Sequence, residues 1–166
     1  MIVQVLGLVM SLALGVAAPV GAATRIESPA DFVGAVYARL AKGGDYAPPE
    51  DIYSSRLKAL WADERRDARG EVGRIDFDFW INAQDGQPKD VQIRTLTVEG
   101  NRDRRIVVAK FALDDRPERQ ELRFYFERTA GVWKLDEVIS TGGGGSDAWT
   151  LSTILKYGWT DEAAPG

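Results

Sequence analysis

Carboxylates, amides and aromatic rings crowd together at one place in the chain, residues 76–85, which read DFDFWINAQD. Asp76 and Asp78 stand two residues apart, so on an extended backbone they face the same side at roughly 6.5–7 Å. That spacing suits a pair of acids sharing general acid and base work. Phe77 and Phe79 would then turn toward the core. Asp76, Asp78 and Asn82 also carry the oxygens that Ca²⁺ takes, but an EF-hand loop opening at Asp76 needs Gly in its sixth place and Glu in its twelfth. The chain has Ile81 and Gln87 there, and the match fails. A DxD metal motif for nucleotide-sugar transfer lacks the βαβ unit that would hold the nucleotide. Neither a metal nor a cofactor is expected.

The same letters also describe a structural corner. A segment entering a sheet beneath helices needs alternating polar and apolar residues and then a turn, and INAQDGQPKD supplies Asn, Asp and Gly for it. Short acids and amides at such a corner bond to backbone groups. The structural role is the expected one, and acid–base chemistry is the alternative. Were a ligand site present, its residues would be Tyr53, Asp76, Asp78, Trp80, Gln84 and Asp85, with Trp80 either lining a pocket beside Tyr53 or Trp61 or packing in the core. No catalytic residue is assigned.

Composition narrows the chemistry further. The 166 residues contain no Cys and no His, which removes disulfides, thiol nucleophiles, zinc–thiolate sites and imidazole bases together. The apolar share is 45% and the charged share 28%, so the chain is long and greasy enough for one domain with a core. A formal charge of −4 argues against nucleic acid as a partner. Arg65, Arg66, Arg69 and Arg74 cluster, but acids alternate with them, as on a solvated helix end.

The first 23 residues, MIVQVLGLVMSLALGVAAPVGAA, carry no charge and end in small side chains. They read as a signal peptide removed near Ala22 or Ala23; no Lys or Arg opens them, which leaves a misassigned start or an uncleaved anchor of marginal spanning length as the alternatives. A periplasmic or secreted protein without a stable membrane anchor is expected, with one domain over residues 24–158 and a mobile tail over 159–166.

The elements that must position the corner follow from periodicity. Ser28, Pro29 and Asp31 open a helix that should run to Gly43, with Phe32, Val36 and Leu40 as its stripe and Val33 and Tyr37 widening it. A second helix is predicted over 54–68, stopped by Gly70, with Leu57, Leu60 and Trp61 inward. Strands are predicted over 91–98, 105–113, 121–128 and 132–139, joined by polar turns. Strand 121–128 alternates Leu122, Phe124, Phe126 against Arg123, Tyr125, Glu127; strand 105–113 is apolar on both faces and belongs inside the sheet. In the first strand Val91 and Ile93 differ in parity from Leu96 and Val98, which predicts a β-bulge near Arg94 and Thr95. Ser146 is read as the N-cap of a short last helix with Ala148, Leu151, Ile154 and Leu155 buried and Gly158 as its stop.

The predicted fold is α+β: two N-terminal helices on a curved four-stranded antiparallel meander, followed by a short C-terminal helix. With its Tyr53-Ser54 and Leu57, its FDFWINAQD segment and its 131–138 stretch, the chain resembles the nuclear transport factor 2-like (cystatin-like) cones. More narrowly it is similar to the bacterial family called domain of unknown function 3828. The resemblance covers about residues 29–157 and implies a small exported protein of cone shape with no assigned activity. The family pattern departs at the Trp80 position, so no residue role is carried over through Asp78 and Trp80.

Function is therefore expected to be non-catalytic, the binding of an unknown small ligand or of another exported protein. The alternative is a small cone-shaped enzyme of isomerase, dehydratase or hydrolase type using Asp or Tyr. A homodimer through the outer sheet face, where Arg123, Tyr125 and Glu127 would lie, is a further expectation.

Overall fold

The computed structural model describes residues 24–143 and 146–159. The signal-peptide reading for 1–23, Gly144 and Gly145, and the tail after Trp159 lie outside the described residues. Helix α1 spans Pro29–Leu40, a single 3₁₀ turn Glu50–Ile52, and helix α2 Ser55–Ala68. Five strands follow: β1 Pro88–Val98, β2 Asn101–Leu113, β3 Arg116–Thr129, β4 Val132–Gly143 and β5 Ser146–Thr150. Helix α3, Leu151–Tyr157, closes the described chain. All strands pair antiparallel in the order β1-β2-β3-β4-β5.

Both long helices begin as their sequences dictate. The Ser28 hydroxyl accepts from Asp31 N at 3.3 Å with Pro29 behind it, and the Ser54 hydroxyl accepts from Leu57 N at 3.1 Å. One end differs from expectation. Helix α1 stops at Leu40 and unwinds through a turn to Gly43, whereas α2 ends at Ala68 as predicted, capped by Arg69 in the left-handed conformation at φ 53° before Gly70. Helix α1 packs on β1 and β2, and α2 on β4 and α3.

The sheet departs from the expected four strands. Residues 146–150 form β5 where a helix N-terminus was predicted. Gly142 and Gly143 have φ of 77° and 104°, so the chain reverses tightly and pairs back on β4, Gly143 facing Ser146. Trp149 then points fully into the core, and helical spacing starts only at Leu151, with Thr150 as N-cap. Ala148 belongs to the strand, while Leu151, Ile154 and Leu155 are buried as predicted.

The bulge expected near Arg94 and Thr95 is also displaced. Register runs unbroken from Gln92 to Thr97 and shifts instead between Lys89 and Gln92, where Asp90 has φ 52°, and between Thr97 and Val98. The two parities are simply the two faces of a regular strand. Val91 and Ile93 pack on the core, whereas Leu96 pairs with Ile106 on the outer face, next to the fully buried Val108. Strand β2 lies between β1 and β3 and buries both its sides, Val107, Ala109 and Phe111 inward and Val108 and Ala112 outward.

The core lies between the inner sheet face and the helices, with Val33, Tyr37, Leu57, Phe111, Phe124, Phe126, Leu135 and Trp149 essentially closed to solvent. Each such side chain contributes about 1.5–3 kcal/mol on full burial. Where β5 no longer covers β4, Ile26 bridges to Trp133 and Tyr53 to Leu135. Part of that strand edge is thus covered by the N-terminal segment and the entry to α2. No helix among the described residues is long and apolar enough to cross a membrane.

Candidate functional site

Residues 76–85 do not run extended. Asp78 and Ala83 form an isolated bridge, with Asp78 N bonded to Ala83 O at 2.9 Å, and the chain between them turns back on itself. The Asp78 carboxylate accepts from Trp80 N at 2.8 Å, the Asx pattern that stabilises a tight turn. Asn82 completes the reversal at φ 53°, a left-handed conformation that Asn tolerates better than most residues. Asp76 and Asp78 are therefore not two teeth of one strand, and the paired-carboxylate geometry is not formed.

The turn drives Phe79, Trp80 and Ile81 into the core. Trp80 stacks on Phe124 with centroids 4.9 Å apart and planes 18° apart, and Phe32, Tyr46 and Phe79 surround it at 5.2–6.2 Å. The Tyr37 hydroxyl donates to Trp80 O at 2.6 Å, tying α1 to the turn. Asn82 anchors the other end by accepting from Trp149 Nε1 at 2.6 Å. Phe77 is half-buried against Trp149 and Trp159 rather than in the centre of the core.

Of the six sequence candidates, the structure gathers Asp76, Asp78, Gln84 and Asp85 around one ridge. Gln84 and Asp85 are exposed at its crest and line a cleft on each side. The first cleft, about 510 Å³, runs between the end of α1, the ridge and the β2–β3 turn, and is walled by Asp45, Asp78, Asp85, Asp114 and Asp115. The second, about 520 Å³, is bordered by Asp76, Phe77, Arg116, Trp149 and Trp159. Trp80, at 1% exposure, lies closed beneath them. Tyr53 lies apart: its ring packs on Trp61, and it borders a third cleft, of about 480 Å³, with Thr24, Asp51, Lys58 and Lys134.

Electrostatics distinguish the acids. Burial pushes the Asp78 carboxyl above its ordinary range, opposed by the Trp80 N–H bond and aided by the charge of Asp45. The Gln87 N–H bond holds Asp114 below its ordinary range. Asp114 N and Oδ1 in fact exchange bonds with Gln87 O and N at 3.1 and 2.9 Å, clamping the ridge to the β2–β3 turn. Burial raises Tyr37 far above the usual phenol range, and Tyr53 is raised for the same leading reason. Among the described residues no group of three Asp or Glu side chains is placed to hold a metal ion.

Asp45, Asp114 and Asp115 were not singled out from the sequence. Asp114 and Asp115 read only as turn residues, and no local pattern announces that a turn after β2 will face the end of α1. Compared with protein-family models, curated proteins and solved structures, the chain finds no match in any of the three.

Proposed function

We propose that this chain is an exported, non-catalytic binding module of the cone type, engaging a small ligand or another exported protein on its surface at the Gln84–Asp85 ridge. One observation carries the reading. Trp80 fills the space between α1 and the sheet and stacks on Phe124, so around the ridge a ligand is left the pair of open clefts that flank it. Five Asp side chains on the walls of the first cleft select for a cationic group. Concave surfaces with convergent polar groups are where small ligands and partner segments dock. The resemblance to the exported cone family supports the same reading.

The alternative, a cone-fold acid–base enzyme, has one observation in its favour: Asp78 is a half-buried carboxyl with a raised pKa on a cleft wall. Its carboxylate is already engaged by Trp80 N, and the buried Tyr37 hydroxyl is committed to Trp80 O. The binding reading therefore leads.

The test is calorimetric titration of the purified protein with oligolysine and with oligoglutamate at low and physiological salt. Oligolysine should bind, more weakly as salt rises, and Asp85→Lys with Asp115→Lys should abolish that binding without moving the melting temperature. Equal response to both peptides, or binding indifferent to the two substitutions, would remove the ridge as the site.

A further inference from the structure

We propose that export ends in cleavage of the Ala23–Thr24 peptide bond and that the α-ammonium group freed on Thr24 docks on the Asp51 carboxylate, anchoring the mature N-terminus. The proposal rests on the export reading above and adds to it a defined bond and a receiving site.

Gly21 and Ala23 place small side chains at the third and first positions before this bond, the pattern a leader-removing peptidase accepts. Cleavage after Ala22 would put Val20 and Ala22 at those two positions, still free of charge and of large side chains, so the sequence leaves the choice between the two bonds open. The structure points to one of them. Thr24 N lies 2.5 Å from Asp51 Oδ2, while Asp51 Oδ1 is buried without a hydrogen-bond partner among the described residues. Immediately downstream, Ile26 is 3% exposed and bridges to Trp133, which fixes the direction from which Thr24 arrives.

Proton counting gives the arrangement its meaning. A peptide N–H at Thr24 carries one proton, enough for one carboxylate oxygen. An ammonium carries three and can serve the second oxygen as well, and it turns a neutral–ionic bond into an ion pair. Lys134 does not fill this role, because its Nζ donates to the backbone carbonyl of Asp51 rather than to the carboxylate. In the cleavage itself one water is consumed: its hydroxyl goes to the Ala23 carbonyl carbon, its hydrogen to Thr24 N, and the C–N bond breaks. The leader leaves with a carboxylate, and the amine takes a solvent proton at neutral pH.

The full chain should be produced in an exporting bacterial host and the N-terminus of the purified protein read by sequential degradation and intact mass. A start at Thr24 is expected. A start at Ala23 or at any residue beyond Thr24 overturns the anchor while leaving export standing, and an intact Met1 overturns both. The cleaved protein is then acylated selectively at its α-amine. Acylation should lower the melting temperature of the wild type by about 3 °C and that of Asp51→Asn by less than about 1 °C. Equal shifts in the two proteins, or no shift in the wild type, would show that the amine does not act through Asp51.

Discussion

The Ser54 hydroxyl accepts from Leu57 N at 3.1 Å and donates to Asp136 Oδ1 at 2.6 Å, so a single side chain caps α2 and ties it to β4. Asp136 sits at the register shift of β4, only 8% exposed, and also meets Arg56 at 3.2 Å and Arg104 at 3.3 Å. Ser54→Ala removes the cap and leaves a buried carboxylate short of one donor. The expected loss is about 2–3 kcal/mol, read as a lower urea midpoint with an unchanged slope.

The same cluster sets an acid limit. Burial pushes Asp136 up, but the Ser54 and Arg56 hydrogen bonds and the two guanidinium charges outweigh it and hold the carboxyl below its ordinary range. For an acid with a depressed folded pKa, the stability it adds is present above the unfolded value of about 3.9 and is lost as pH falls through the folded one. Between pH 5 and 2 the melting temperature of the wild type should therefore fall more steeply than that of Asp136→Asn, which should start lower at neutral pH.

Asp78 should behave in the opposite sense. Its raised folded pKa means that the stability it adds is largest at low pH and declines as pH rises from its ordinary value through the folded one. Asp78→Asn keeps an acceptor for Trp80 N without the charge, and should be neutral or slightly stabilising at pH 7. Asp78→Ala should cost about 1 kcal/mol through loss of the turn bond. Thermal melts of the three proteins across pH 3–8 check both signs.

Trp80→Ala should be the most damaging substitution in the ridge, because it opens a cavity facing Phe124, Phe32 and Tyr46. A loss of about 3–5 kcal/mol is expected. Gln84→Ala and Asp85→Ala, exposed at the crest, should stay within about 0.5 kcal/mol of the wild type. A denaturant series on the three variants separates the closed floor of the site from its open rim.

Two glycines offer a paired test of packing. A methyl group on Gly73 would sit 1.8 Å from Glu64 Oε1, the buried atom that accepts from Arg74 N at 2.8 Å, whereas one on Gly34 within α1 meets nothing within 4 Å. Gly73→Ala should cost about 1–3 kcal/mol by breaking that bond. Gly34→Ala should gain about 0.4–1 kcal/mol from helix propensity and a less flexible unfolded chain. Paired melts would show one transition lowered and the other raised.

Local signals fixed what depends on neighbours in sequence. Ser28 with Pro29 and Ser54 with Leu57 set two helix starts, and the period-two run of Leu122, Phe124 and Phe126 set the inner face of β3, because caps and pleats are decided within a few residues. The α+β class with an antiparallel meander follows from these elements and their short turns. Tertiary structure decided the rest. It made 146–150 a strand, since only the reversal at Gly142 and Gly143 and the pull of Trp149 into the core could override a helical pattern. It folded DFDFWINAQD into a plug instead of an extended pair of acids, because the space beneath α1 required the Trp80 ring. And it set Asp45, Asp78, Asp85, Asp114 and Asp115 around one cleft, from three stretches of chain whose meeting depends on packing between elements and leaves no trace in the spacing of any one of them.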